Sequence, residues 1–219
     1  TKPKRFPDPT GEVDFPEDVH PPKPQEWLWL SVGDLAEVTG GLTKNQKRNA
    51  LPKKARYLRV ANVYANQFDL GEVHEIGLSE DEARKTFLKS GDLLIVEGNG
   101  SVEQIGRMAL WREQLQHVSH QNHLIRARFL SPIDPLFALM FFMSPWGRKL
   151  VVKKASSTSG LHTLSISKVS ALPCPVPHID EQREIVKRLE AELSNIDALE
   201  AQIDDGLARS KALRQSILK

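Results

Sequence analysis

From Trp27 onward the chain alternates between two textures: short runs of branched and aromatic residues, and longer stretches whose apolar positions recur every three or four residues. The runs ARYLRVANVY, GDLLIVEG, RMALW and HLIRARFL are bounded by Gly, Asn or charged residues and predict β-strands. Ahead of them, WLWLSVGDLAEVTGG opens on alternating Trp27 and Trp29. It continues with Val32, Leu35, Ala36 and Val38 as a short helical turn or strand-like piece ending at Gly40–Gly41. LSEDEARKTFL predicts a helix with Ser79 as N-cap, Glu82 at the capping-box position, and Ala83, Phe87 and Leu88 facing inward. SPIDPLFALMFFMSPWGRKLVVKKA predicts a helix pair; its Leu136–Met143 run is too short for a membrane and long enough for a buried helix. In VSALPCPVP the prolines permit only an edge strand or an extended segment. These elements make the body an α+β fold.

The last pattern is the longest. After a predicted cap at Asp180, Ile185, Leu189, Leu193, Ile196, Leu199, Ile203, Leu207, Leu213 and Ile217 form one apolar stripe. A helix of about 38 residues would reach roughly 55 Å at 1.5 Å per residue. It is either a surface helix folded back on the body or a coiled-coil arm covered by a second long helix. Nothing else in the chain is long enough to cover the stripe, which favours the arm. Gly206 costs about 1 kcal/mol in a helix interior and marks a candidate bend or break. Residues 1–26 show neither period and are rich in Pro and charge, as expected of a linker or extended arm. The predicted organisation is therefore an arm over 1–26, a folded domain over 27–178 and a long helix over 179–219.

Composition narrows the class. Hydrophobic residues make up 40% of 219, enough for a real core. No apolar run approaches the roughly 20 residues that cross a bilayer, and the opening TKPKRFPDPTGE lacks the apolar centre of a secretory signal. The expected address is cytoplasmic, without a membrane partner. Cys174, the single cysteine, stands between Pro173 and Pro175 and is expected to be buried for structural reasons. With 30 Lys and Arg against 28 Asp and Glu, any anionic partner must be met by local asymmetry.

That asymmetry lies in KNQKRNALPKKARYLR, residues 44–59, which carries seven cations and no acid. Such a run is either a solvated face or a phosphate-binding one. On the second reading Lys44, Lys47, Arg48, Lys53, Lys54 and Arg56 position an anionic backbone while Asn45 and Asn49 reach base edges. Asn62 and Tyr64 on the following strand end would complete one side of a DNA-facing cleft. GNGSVEQIG lacks the Gly-Lys-Ser/Thr ending of a phosphate loop and is read as a strand connection from whose tip Asn99 and Ser101 reach phosphates. HVSHQNH spaces His117, His120 and His123 regularly, but no Cys or carboxylate cluster accompanies them, so metal is not expected. Gln121 and Asn122 are amides suited to adenine in a major groove, with His123 beside them. In SSTSGLH, nothing orders the hydroxyls and imidazole as a nucleophile pair; Ser157, Thr158 and His162 suit close approach to a phosphate.

Several segments together resemble a known family. They are Trp27-Leu28-Trp29, Gly33-Asp34-Leu35, Gly40-Gly41, residues 57–63 and 91–95, Ile105-Gly106-Arg107 and, most specifically, Pro175, Pro177, Glu181, Gln182, Ile185 and Val186. In this order they resemble a target-recognition domain and conserved spacer helix of type I restriction-modification specificity subunits. The resemblance implies a mixed-sheet recognition domain followed by a coiled-coil helix, in a non-catalytic subunit that reads one half of a bipartite DNA site. The helix would act as the ruler between two recognition domains, with Ile185, Leu189, Leu193, Ile196, Leu199 and Ile203 docking modification subunits, a second recognition domain or a second copy. A restriction subunit is a further candidate partner. S-adenosylmethionine would belong to the modification partner, with no cofactor or metal in this chain. Family subunits carry two recognition domains and two spacer helices, so this chain is expected to be a C-terminal half or a half-length subunit. Two rival expectations stand beside this one: a protein-interaction adaptor whose basic loop only solubilises, and a recognition fragment of a single-chain restriction-modification enzyme.

Overall fold

The computed structural model describes residues 15–16, 27–98, 104–130, 132–155 and 163–217. Its elements run β1 (Leu28–Ser31), α1 (Val32–Leu35), β2 (Ala36–Gly40), β3 (Lys54–Leu58), β4 (Val63–Tyr64), β5 (Gln67–Phe68), β6 (His74–Gly77), α2 (Glu80–Thr86) and β7 (Asp92–Val96). They continue with β8 (Met108–Leu110), β9 (Val118–His120), β10 (Leu124–Phe129), α3 (Pro135–Met143), α4 (Pro145–Ala155), α5 (Ile166–Ser170), β11 (Pro173–Val176) and α6 (Ile179–Ile217). The architecture is α+β. The predicted arm falls largely outside the described residues, but the Phe15 ring stands edge-on to Trp29 at 5.0 Å.

A four-stranded antiparallel sheet in the order β2-β10-β7-β8 is the centre of the domain. Strand alternation divides its residues between two cores. Leu93, Ile95, Ile125 and Ala127 join Phe137, Leu139, Leu150 and Val151 from the α3–α4 pair, while Leu94, Val96 and Leu124 join Leu58, Trp111 and Val118. All five residues of β7 are buried because both its faces are covered, which is why GDLLIV reads as a continuous apolar run. A second sheet, β6-β3-β9, is mixed: β3 pairs antiparallel with β6 and parallel with β9.

The helix α2 has the predicted Ser79–Glu82 capping box. The proline-bearing β11 pairs only with β1, placing Cys174 opposite Leu30 and fully buried, where desolvation pushes its thiol up. The helix α6 starts at Ile179, one residue before the predicted cap. Asp180 lies in its first turn and donates its backbone N–H to His178 Nδ1 at 3.4 Å. It runs through Gly206 without a break.

The segment that resembled the spacer motif is the socket of this helix. Gln182 is fully buried; its Oε1 accepts from Asp134 N at 2.8 Å, and its Nε2 donates to Pro132 O at 3.1 Å and Pro177 O at 2.8 Å. Trp27 Nε1 donates to Glu181 Oε1 at 3.1 Å, and Ile185 and Val186 pack into the first core. Ile185 therefore belongs to the seat of the helix on its own domain, a correction to its expected place in the partner-facing stripe. Past Val186 the stripe is open: Leu189, Leu193, Ile196, Leu199 and Ile203 are all exposed, Ile203 to 61%.

Candidate nucleic-acid interface

The antiparallel order of the central sheet brings the ends of β2 and β7 and the starts of β8 and β10 to one edge. Gly40 stands opposite Ile125, Val96 opposite Leu124, and Ile95 opposite Met108. The connections leaving this edge carry the Gln121-Asn122-His123 turn, Glu97–Gly98, Arg107 and the Gly40–Gly41–Leu42 turn. The β4–β5 hairpin joins them through Asn66 N, which donates to Met108 O at 2.9 Å. Gly41 is required there, since a Cβ on it would lie 2.1 Å from His120 O. Leu42 then donates to His120 O and accepts from Asn122 N, tying the start of the basic run to the polar turn.

At this edge Gln121 is half-buried, with Oε1 accepting from Val60 N at 3.3 Å. Asn122 is half-buried and His123 exposed, with Asn122 Nδ2 3.5 Å from His123 Nε2 and His123 Nδ1 2.7 Å from Glu97 Oε2. Tyr64 is exposed, and the Arg107 guanidinium lies over its ring at 5.4 Å. Glu97 and Arg107 are absent from the sequence-predicted set. The only signal for them was their position at strand ends flanking the GNGSVEQIG loop. Gly98 bridges to Thr163, and Leu164 N donates to Glu97 O, so the segment before α5 meets the same edge. Asn99, Ser101, Ser157, Thr158 and His162 lie outside the described residues.

The basic run is not one surface. Lys44 and Lys47 are exposed and make no hydrogen bond or ion pair among the described residues, and they directly follow the Leu42 turn. Asn45 caps the short 3₁₀ turn Gln46–Ala50 by accepting from Arg48 N, and the Asn49 carbonyl accepts from Lys54 Nζ. Arg48 is a structural residue: it donates to Thr43 O, Gly77 O and both carboxylate oxygens of Glu82, the last at 2.8 and 3.0 Å. The Arg48 bonds to Glu82 first, and then the bond from Ser79 N, hold the Glu82 carboxyl down to about 2. Lys53 pairs with Glu80 at 2.9 Å. The run looked acid-free because its acids come from α2, which folds beside it. Lys54 and Arg56 lie in β3, whose far end at Leu58 meets the Gln121 turn; four strand residues put Lys54 about 13 Å away and two put Arg56 about 7 Å away, with Lys53 just ahead of the strand. Asn62 is also corrected: it is buried, donating to Asp69 O and Glu72 O and accepting from Arg59 N, so it shapes the 69–72 turn instead of facing a ligand.

The three histidines of HVSHQNH diverge. His117 lies against the Phe87 ring, His123 reaches Glu97, and His120 is fully buried with neither ring nitrogen partnered among the described residues. Burial, with Arg126 nearby, pushes the His120 imidazole down to about 3. Among the described residues no three His, Cys, Asp or Glu converge as metal ligands, and no helix is long and apolar enough to cross a membrane. What the edge assembles is a row of hydrogen-bonding groups (amide, imidazole, carboxylate, guanidinium on phenol), followed in the chain beyond Leu42 by the exposed Lys44 and Lys47.

The fold is an α+β domain with a polar sheet edge and a long helix seated on it whose stripe is exposed past Val186. The chain belongs to the type I restriction modification DNA specificity domain family, whose profile matches residues 24–209. It is 32% identical over 185 residues to the type I restriction enzyme EcoKI specificity subunit of Escherichia coli K12, covering 84% of this chain and 39% of that one. It is 29% identical over 194 residues to the StySPI specificity subunit of Salmonella potsdam, covering 88% and 42%. The chain thus spans about two fifths of the length of these curated relatives. The same fold occurs in a solved type I R-M system described for its complex assembly and conformational transition (TM-score 0.66, 17% identity, 93% of this chain and 47% of the other). It occurs also in the HsdS subunit from Thermoanaerobacter tengcongensis (TM-score 0.61, 15% identity, 80% and 44%).

Proposed function

We propose that this chain is a DNA-sequence recognition module of a type I restriction-modification complex, reading one half of a bipartite site and catalysing neither cleavage nor methylation itself. The observation that carries the reading is the convergence of Gln121, Asn122, His123, Tyr64 and Arg107 at one sheet edge, with the exposed Lys44 and Lys47 following the Leu42 turn in the chain. Amides and guanidinium groups read base edges, while contacts from cations to phosphates position the duplex and carry no sequence information themselves. An edge four strands wide covers about four base pairs at the 4.8 Å strand spacing, the extent of one half of a bipartite site.

The helix supports the rest of the reading. Its base is fixed by Gln182 and its open stripe from Leu189 to Ile203 suits a second long helix or the modification subunits. Methyl transfer and S-adenosylmethionine belong on this reading to the modification subunits, which extract the target base from the stack.

Binding of the chain to duplex DNA across a salt series tests the proposal. The logarithm of the binding constant should fall linearly with log salt, and Lys44→Ala with Lys47→Ala should reduce the slope by about 2, at roughly 0.9 per phosphate. Salt-independent binding, or an unchanged slope in the double variant, would overturn it.

A further inference from the structure

A carboxylate is out of place on a surface that faces phosphates, yet Glu97 stands in the middle of the sheet edge. Its backbone is held on both sides: its N–H donates to His123 O at 3.0 Å, and its C=O accepts from Leu164 N at 2.6 Å. Its side chain returns to the same histidine, Oε2 lying 2.7 Å from Nδ1. A carboxylate has no proton to give, so the proton in that bond is the imidazole's. With the ring neutral, Nε2 is then an acceptor, and its one neighbour among the described residues, Asn122 Nδ2, stands 3.5 Å away at the outer limit of a hydrogen bond.

Without Glu97, a ring whose side chain is 56% exposed is free to turn and to exchange tautomers, offering a donor or an acceptor with little preference. Resting on the DNA-recognition reading above, we infer that Glu97 is a positioning residue for base recognition. It fixes His123 as the Nδ1–H tautomer, so that Nε2 meets an exocyclic amino group in the major groove, N6 of adenine or N4 of cytosine. Guanine O6 and thymine O4 are acceptors themselves and would confront a lone pair there. Glu97 acts through the histidine and does not touch the base. Backbone bonds to His123, ahead of β10, and to Leu164, ahead of α5, fix the Glu97 main chain at the edge, and the bond to Nδ1 holds its carboxylate on the ring.

The test is selection of bound sequences by the 219-residue chain from a pool of duplexes randomised at their centre, with the enriched bases read by sequencing. The wild type should enrich adenine or cytosine at one position of one strand. His123→Ala and Glu97→Ala should each lower that enrichment on the order of tenfold, at that position and no other. Glu97→Gln should keep it, because the amide oxygen accepts the same Nδ1–H. The double variant Glu97→Ala/His123→Ala should fall no further than His123→Ala alone. The inference is overturned if Glu97→Ala leaves intact a position that His123→Ala abolishes, if Glu97→Gln loses as much as Glu97→Ala, or if the loss spreads over all positions. It is also overturned if the His123-dependent base is guanine or thymine, or if duplexes bind with no such position. A wild-type chain that binds no duplex at any salt concentration overturns the DNA reading itself, before any variant is compared.

Discussion

Gln182 is the residue on which the direction of the long helix depends, and its replacement has a calculable cost. The side chain is fully buried and completes three bonds at once: Asp134 N to its Oε1, and its Nε2 to the carbonyls of Pro132 and Pro177. Asp134 in turn caps α3 through Leu136 N and Phe137 N, so one amide ties together the start of α6, the strand-like approach to it and a core helix. Gln182→Ala strands one N–H and two carbonyls in a buried site. At about 1 kcal/mol for each lost bond, and more where a buried group stays unsatisfied, the loss is about 3–4 kcal/mol. For a chain of this size, with about 2–4 °C per kcal/mol, Tm should fall by about 10 °C. Gln182→Met fills nearly the same volume without hydrogen bonds and separates packing from bonding. Thermal unfolding followed by near-ultraviolet circular dichroism measures both variants. If Gln182→Met melts within about 1 kcal/mol of the wild type, the amide is not the latch and the reasoning fails.

Arg48→Ala should cost about 2–3 kcal/mol from its four bonds, with little change in the DNA salt slope. Because the folded Glu82 carboxyl is held down to about 2, the Arg48–Glu82 contribution is fully present above about pH 4.5 and is lost as pH falls through 2; the gap between wild type and variant should close over that window in urea titrations. His120, held down to about 3, refuses a proton that the unfolded chain takes up below about 6.5. Between those values acidification should destabilise the wild type by up to about 1.4 kcal/mol per pH unit more than a His120→Leu variant; equal slopes would contradict the buried neutral imidazole. Leu193→Glu with Ile196→Glu, both half-exposed, should leave Tm unchanged and abolish association with modification subunits or a second copy in sedimentation; an unaltered complex would refute a partner-facing stripe.

Much of this was readable before any coordinates, for identifiable reasons. The capping box at Ser79 and Glu82, the paired helices around Ser144 and the edge strand of VSALPCPVP rest on local rules, and local rules were enough. The basic run was misleading because charge neutralisation is not local: Glu80 and Glu82 lie 27 and 34 residues from the cations they meet. Asn62 failed for a related reason, since an amide that satisfies two distant carbonyls has the same letter as one that faces a ligand. HLIRARFL is a strand as predicted, but its Arg126 is buried and its Arg128 meets the buried Asp92 at 2.7 Å. Those pairings need the neighbouring strand's register. Glu97 and Arg107 became visible only when four strands ended at one edge.

The central claim is that this sheet edge reads one half of a bipartite DNA site. Its most direct test is methylation-site mapping in cells whose type I complex carries this chain, either wild type or with Asn122→Ala. The account predicts that the variant relaxes particular positions in one half of the motif, while the other half and the spacing between the halves stay as they were. A motif specified as strictly as before at every position would contradict it, as would equal relaxation of both halves.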